Sequence, residues 1–531
     1  MRTFRPPCGP FALGLCMALS FSAFAQQANS GQSLADIARK LRKDTSDEVK
    51  MTEADTNRLF KSVDTILEFA AEDSGMPKRS VVKRRMVSKA DVEKYVQGSL
   101  AKEEYTQRFV QEEMSMKKLG FLPRDFNLKD FVVKSTGQEI AGYYDDQTKT
   151  ISLLNWVPAN KQEPILAHEL THALQDQNYN LSKWMKVSQK TQGSAEDESA
   201  VARKAVVEGQ AMVVYLDYML KPLGRTLQNT PDLLYSMEDP AVKAIVDSQL
   251  MHDSPMVMRE AGVFAYKEGL IFEGELLRKG GKQMAFAGAF QRPPRNSHEV
   301  LHPETYINGE KLPSLRIPDM KSVLNDQYEV YDSGSIGELD VRALLKQYGE
   351  RKIADDLSAA WQGGSYVLYR RKPESGTQAS VSTADLALLY ISRWKSAQAA
   401  VRFAKFYAEV VPQRYRSATA EKVAACGGTS CPVSTAQIAT EEGPVIVEHW
   451  NDNTVLVSES FDAPTAGKLR TAIRQGAGAA QAEVMPQEEI GLRLLEIPAF
   501  RELEEEIGQP VARELLQGTL RNLAASDGNQ N

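Results

Sequence analysis

The chain has 531 residues, 42% of them apolar and 25% charged, with a formal net charge of −6. That length exceeds one ordinary hydrophobic core, so the sequence predicts two to four domains of ordinary globular composition. The charge leaves no electrostatic footprint for DNA or RNA, and nucleic-acid binding is not expected.

Residues 1–25 read as a secretory signal. Arg2 and Arg5 make a basic n-region, residues 11–21 an apolar h-region, and Ala23-Phe24-Ala25 a small-x-small cleavage site before Gln26. The apolar run is too short for an anchor and no second one follows it. No stable membrane span is therefore expected after cleavage, and the mature chain is expected in the periplasm or outside the cell. Cys16 lies inside the run without a small residue before it, which argues against a lipid anchor. Cys8 and Cys16 leave with the signal. Cys426 and Cys431 remain, in C-G-G-T-S-C. With no histidine pair nearby they read as a small disulfide loop and not as a zinc site.

Residues 26–115 are rich in Lys, Glu, Asp and Ser and are expected to be mainly helical. Segments 34–41 and 56–71 carry apolar residues at helical spacing. Residues 81–87 read as a short strand with Lys83 to Arg85 on a solvated face, and residues 88–91 as the cap of a helix running through 96. Both a pro-segment and a structural wrap fit this region. Residues 116–324 form the next expected domain. Residues 139–144 are extended and apolar, 145–148 a turn, and Thr150 to Leu154 alternate, which together predict a hairpin. Such a hairpin either holds an extended peptide by backbone hydrogen bonds along its edge or is purely structural, and the pattern fits both equally well.

Residues 163–177, E-P-I-L-A-H-E-L-T-H-A-L-Q-D-Q, follow at once. They contain H-E-x-x-H as His168, Glu169 and His172. Ile165, Leu166, Ala167, Leu170, Ala173 and Leu174 predict a buried helix, with Asn160 as its N-cap and Glu163 completing a capping box. Residues four apart sit about 40° apart around a helix, so both imidazoles leave one face. That suits one Zn2+ ion, with Glu169 reaching a water without ligating the metal. Catalytic zinc takes a third protein ligand. The best placed is Glu208, thirty-six residues after His172. It lies in an expected helix over 196–220, on an apolar face with Val201, Ala205, Met212 and Tyr215. Asp197, on the same face, is the fallback ligand. Glu196 and Glu198 read as solvated.

H-E-L-T-H-A-L-Q-D-Q, the preceding A-G-Y-Y-D, and V-V-E-G-Q-A resemble the H-E-x-x-H metallopeptidases of the gluzincin clan, closest to a group of exported bacterial proteins of largely unknown function. Weaker marks are Tyr266-x-x-Gly269-x-x-Phe272, Pro293-Pro294-Arg295-Asn296-Ser297, and Leu301-His302-Pro303-Glu304-x-Tyr306. The likeness spans residues 80 to 460, with strong motifs only at the two zinc helices. It implies an α+β, zincin-like catalytic domain, His168, His172 and Glu208 as zinc ligands, and Glu169 as the catalytic glutamate. One departure is clear: the group commonly carries E-G-D-A where this chain has Glu208-Gly209-Gln210-Ala211. If that aspartate orients a zinc-bound histidine, Gln210 can hydrogen-bond in its place but supplies no charge.

Residues 222–258 read as helices and loops capping the site. His302 and Tyr306 follow a Pro-rich loop and are candidate donors to a developing oxyanion, with a turn histidine and a half-buried aromatic as the competing structural readings. His252, His298 and His449 have no partner spacing. Residues 325–480 form a further α+β domain. Helices are expected at 338–348, 352–361 (broken by Gly363-Gly364), 396–410 and from 465, and strands at 366–370, 386–391, 445–449 and 454–458. The last two strands make a hairpin, in a small sheet with helices on one face. Residues 481–531 read as a polar helical tail.

These residues lead to an exported zinc metallopeptidase acting on a peptide or protein substrate, with Glu169 as general base. The alternative is a catalytically inactive, zinc-stabilised binding or assembly protein of the cell envelope; a third option is a zinc hydrolase of a non-peptide amide.

Overall fold

The computed structural model describes residues 51–88, 103–128, 143–185, 195–234, 254–372, 381–423 and 431–479, apart from 147, 157, 233, 314 and 350. The expected signal, the helix at 34–41, the body of the helix after 88, the start of the hairpin at 139–142, the middle of the capping region with His252, Cys426 and the C-terminal tail lie outside the described residues. Cys431 is disulfide-bonded. Among the described residues no helix is long and apolar enough to cross a membrane. The architecture is α+β.

Helix α1 (Glu53–Ser74) starts where the Thr52 hydroxyl accepts from the Asp55 N–H and ends at Gly75, whose φ of 71° closes it. Its buried Leu59, Val63, Ile66, Leu67 and Ala70 form one stripe at helical spacing, and that stripe packs on the H-E-x-x-H helix. Strand β1 (Lys83–Val87), helix α2 (Glu103–Leu119), strands β2 (Tyr143–Asp145) and β3 (Thr150–Leu154) follow. The three strands form a sheet in the order β1-β3-β2, with β3 parallel to β1, antiparallel to β2 and buried at every position. The hairpin read from the sequence is thus present in its described part, and among the described strands β2 is an edge.

Helix α3 (Ala159–Tyr179) carries His168, Glu169 and His172. It begins one residue before the expected cap. Pro158 is the N-cap and makes no side-chain cap bond, Asn160 lies inside the helix, and there is no capping box. Pro164 also sits inside; it lacks the N–H that would bond the Asn160 carbonyl. Helix α4 (Ala195–Leu220) carries Glu208 and is buried almost all round, not on one stripe alone. Helix α5 (Met256–Val263) runs through a π-helical turn, Phe264–Glu268, into α6 (Gly269–Lys282) and a second π turn, Gln283–Gly288. Two short helices, Ser297–Leu301 and Pro303–Asn308, close this half.

The second sheet has seven described strands, all paired antiparallel, in the order β4-β5-β6-β10-β9-β8-β7. In chain order these and their helices are β4 (Tyr328–Ser335), α7 (Glu338–Tyr348), β5 (Trp361–Arg371), β6 (Leu386–Trp394), α8 (Ala397–Arg414), β7 (Ala418–Glu421), β8 (Ser434–Thr440), β9 (Gly443–His449), β10 (Thr454–Glu459) and α9 (Ala463–Ala479). The expected hairpin at 445–458 is β9-β10. Two expectations need correcting. The helix expected at 352–361 is present as Arg351–Ser358, but Gly363 and Gly364 do not end it: they lie within β5 at a bulge, where a Cβ on Gly364 would meet the Ile336 carbonyl oxygen at 2.6 Å. The helices also cover both faces of the sheet and not one: Leu388 and Tyr390 of β6 face Phe403 and Tyr407 of α8, while Leu389 and Ile391 face Leu469 and Ile473 of α9. The larger apolar cluster is continuous from α1, α3 and α4 into the α8 face of this sheet.

Candidate metal centre

The two motif helices put their polar groups together. His168 Nε2 and His172 Nε2 are 3.1 Å apart, and Glu208 Oε2 is 3.2 Å from the first and 3.4 Å from the second. Tetrahedral zinc with bonds of about 2.0–2.1 Å holds its ligand atoms about 3.3–3.4 Å apart. The observed triangle therefore fits that ion, in donor type and in spacing. All three side chains are at most 1% exposed, enclosed between α3 and α4. Burial lowers the His168 pKa and keeps its imidazole neutral, as a ligand must be. Burial alone would raise the Glu208 carboxyl, but the two imidazoles outweigh it and hold it well below the usual carboxylate range.

The tautomer of His172 is fixed by a chain of amides. Gln210 Nε2 donates to the carbonyls of Ala285 (2.8 Å) and Phe286 (3.1 Å), so its oxygen must face the other way. That oxygen accepts from Gln175 Nε2 (3.0 Å), which also donates to the Val207 carbonyl. Gln175 Oε1 then faces His172 Nδ1 at 2.8 Å and accepts its proton. The lone pair of His172 Nε2 is left pointing at Glu208 and His168. Gln210 thus acts on the histidine through Gln175. His168 is held differently, with its ring stacked on Tyr266 at 6.2 Å between centroids. Tyr266 belongs to the first π turn, whose extra residue brings the ring round to the site.

Glu169 is fully buried beside the triangle, and one of its carboxylate oxygens lies within 4.8 Å of a nitrogen on each imidazole. Its Oε2 accepts the Tyr144 backbone N–H at 2.9 Å. Tyr144 is in the edge strand β2, and its hydroxyl donates to Asp176 Oδ2 on α3 at 2.8 Å, where Lys149 Nζ also reaches (2.6 Å). The carboxylate of Glu169 is thereby aimed by the sheet edge, outside the ligand triangle.

The remaining candidates are placed elsewhere. Asp197 falls in α4, but its side chain lies outside the described residues. Glu198, expected in solvent, is fully buried and accepts from Ser297 N (2.7 Å) and Oγ (2.8 Å). His302 Nε2 pairs with Glu338 at 3.0 Å, in a cluster that also holds His298. Its neighbour Ser297 touches α4 at Glu198, ten positions before Glu208, or about 15 Å along the axis. The Tyr306 hydroxyl donates to the Arg292 carbonyl at 2.6 Å, and its ring meets Phe272 edge-on at 5.0 Å. Neither is drawn into the metal centre; both of the donor roles read for them rest on the sequence alone. What sequence reading did not assign are the supporting roles of Gln175, Tyr144, Tyr266 and the buried Glu273. The first three lie in motifs quoted for the resemblance, and Gln175 also sits three residues after His172 on the same helix.

One protein family matches part of the chain, over residues 326–472, under the description "Domain of unknown function (DUF8575)". That stretch is the seven-stranded sheet with its helices, ending within α9, and it excludes His168, Glu169, His172 and Glu208. No curated protein and no solved structure matches the chain.

Proposed function

We propose that the protein is an exported zinc-dependent peptidase of gluzincin type. The observation that carries this reading is the convergence of His168 Nε2, His172 Nε2 and Glu208 Oε2 to 3.1–3.4 Å, with a buried, non-ligating Glu169 alongside. The zincin-like fold is supported by the arrangement of β2 as an antiparallel edge beside the H-E-x-x-H helix, with the third ligand on the next long helix. When bound, zinc supplies Lewis-acid polarisation of a carbonyl and activation of water. His168, His172 and Glu208 hold it; Gln175 keeps His172 in the tautomer that can. Glu169, positioned by the Tyr144 N–H, accepts a proton and returns it to the leaving amine. Among the described strands β2 is outermost, and an extended peptide would add on that side beside Tyr144, whose N–H is given to Glu169. The export signal read at residues 1–25 places the peptide or protein substrate outside the cytoplasm.

The test is hydrolysis of casein and of a mixed peptide library by the full mature chain, with and without a zinc chelator. Glu169→Gln is expected to keep one zinc at this centre and to lose turnover by about a thousand-fold or more. Turnover equal to wild type in that variant, or turnover indifferent to the chelator, rejects the mechanism. The burial of all four side chains favours one competing reading, a zinc-stabilised binding protein; wild type that holds zinc and cleaves nothing in the library would be that outcome.

A further inference from the structure

A second group of metal-type donors lies where the two halves of the molecule meet. His298 is in the short helix Ser297–Leu301, His302 is the residue linking that helix to Pro303–Asn308, and Glu338 is the first residue of α7 in the other half. His298 Nδ1 is 2.5 Å from Glu338 Oε2, and His302 Nε2 is 3.0 and 3.1 Å from the two oxygens of Glu338. One donor atom from each of the three residues lies within 4.8 Å of the others.

We propose that His298, His302 and Glu338 form a second metal site, taking one divalent ion of the zinc class and tying the H-E-x-x-H half to the seven-stranded sheet. Two imidazoles and one carboxylate are the donor set that suits zinc and its first-row neighbours. Both rings turn a nitrogen towards the same carboxylate, His298 at 2.5 Å and His302 at 3.0–3.1 Å; bound zinc holds its ligand atoms about 3.3–3.4 Å apart, so an ion here takes the place of these hydrogen bonds as the three groups draw slightly apart around it. The three residues come from elements that are fixed on either side. Asn296 caps the short helix through the Glu299 N–H, and Ser297 bonds Glu198 of α4 below it. Ser297 Oγ also accepts the Leu339 N–H, so the backbone next to Glu338 is pinned to the backbone next to His298. His302 Nδ1 faces Glu304 at 3.9 Å, an arrangement that leaves Nε2 to the inside. One nearby cation, Arg342, opposes an ion here, but Glu260 (2.8 Å) and Glu268 (3.2 Å) neutralise it.

The setting differs from the first centre in one useful respect. Glu338 is buried, whereas the His298 and His302 side chains are 12% and 26% exposed. An ion can enter from solvent and keep water in its remaining positions. This site would therefore be a joint between domains, exchanging its metal more readily than the enclosed triangle.

The experiment counts zinc bound per chain by native mass spectrometry, using the full mature protein stripped with a chelator and reloaded with zinc alone. Wild type is expected to bind two, His168→Ala/His172→Ala one, and His302→Gln one. His302 is part-exposed, so its variant folds; matched circular dichroism checks this. As a second reading, zinc is expected to raise the Tm of His168→Ala/His172→Ala, and to raise it several-fold less once His302→Gln is added. One zinc in wild type that survives His302→Gln and His298→Gln unchanged overturns the proposal and leaves the first centre standing. One zinc that survives His168→Ala/His172→Ala and is lost in His302→Gln supports this site and removes the first.

Discussion

Gln175 decides which nitrogen of His172 is free to bind, and it does so from a position fixed by two backbone carbonyls through Gln210. Such supports are worth about ten- to a hundred-fold in metal affinity. Gln175→Ala should therefore weaken zinc at this centre by about that factor, measured by competition with a chromogenic chelator, and unchanged affinity would show that His172 needs no orienting partner. Behind Gln210 lies Glu273, fully buried on α6. Burial pushes its carboxyl well above the usual range, with Gln210 opposing. A pKa raised in the folded state gives a contribution that is complete below about pH 4.3, the unfolded value, and is lost as pH rises through the folded one. Glu273→Gln removes that loss. Its Tm should match wild type near pH 4 and exceed it at pH 8, by about 1 kcal/mol or more in stability; a difference independent of pH would contradict this.

Among the elements, the contact of α4 with α6 fixes where Glu208 stands. Gly209, the residue after the ligand, has so little room that a Cβ would lie 2.3 Å from the Gly269 carbonyl oxygen; a Cβ on Gly269 would lie 2.4 Å from that of Ala205. Two glycines let the helix backbones touch, which explains physically why E-G and Y-x-x-G occur together here. Gly209→Ala gains helix propensity but must push α6 away. The overpacking cost of about 1–3 kcal/mol is larger than the gain of about 1 kcal/mol, so a net loss of Tm and a weaker zinc site are expected together. A melt at or above wild type would mean the helices separate without strain. The edge strand β2 is the other decisive element, because its Tyr144 N–H reaches Glu169 only if the strand is held against β3.

Across the whole molecule, buried charges join parts far apart in sequence. Glu459 at the end of β10 accepts from Arg414 (2.9 and 3.0 Å), Tyr407 (2.8 Å) and Tyr415 (2.6 Å). Lys118 of α2 bonds Glu442 and Ser460 beside it, and its carbonyl accepts from Arg414. The end of α2 is thus bonded into the seven-stranded sheet through Lys118. Burial raises the Glu459 carboxyl, but Arg414 and Lys118 outweigh it and leave the pKa lowered. With a lowered folded pKa the contribution is present above about pH 4.3 and is lost as pH falls through the folded value. Glu459→Gln strands the buried Arg414, while Lys118 keeps Glu442, and should cost about 3–5 kcal/mol at pH 7, shrinking towards pH 3. Denaturant melts at both pH values check it; a cost below 1 kcal/mol at pH 7, or one that grows on acidification, would break the argument.

Local pattern was enough for the elements that carry the candidate metal centre. H-E-x-x-H places two imidazoles on one face of α3 because four residues are close to one turn, and the apolar run of α4 forced Glu208 to find a partner. Helix α7 was read at its observed limits, 338–348, and the β9-β10 hairpin within two residues, since both are set by short-range periodicity. Tertiary structure decided what periodicity does not encode. The cap of α3 moved to Pro158, and Gly363-Gly364 lie in a strand, where the Ile336 carbonyl leaves no space for a side chain at Gly364. Strands β4, β7 and β8 have weak patterns and exist through their pairing partners. Glu198 looked solvated until Ser297, ninety-nine residues on, covered it, and His298 looked isolated until Glu338 came beside it from the other half. Ligand residues that share a helix can be read from spacing along the chain; the groups that orient and bury them come from distant segments, and only the packed fold brings those together.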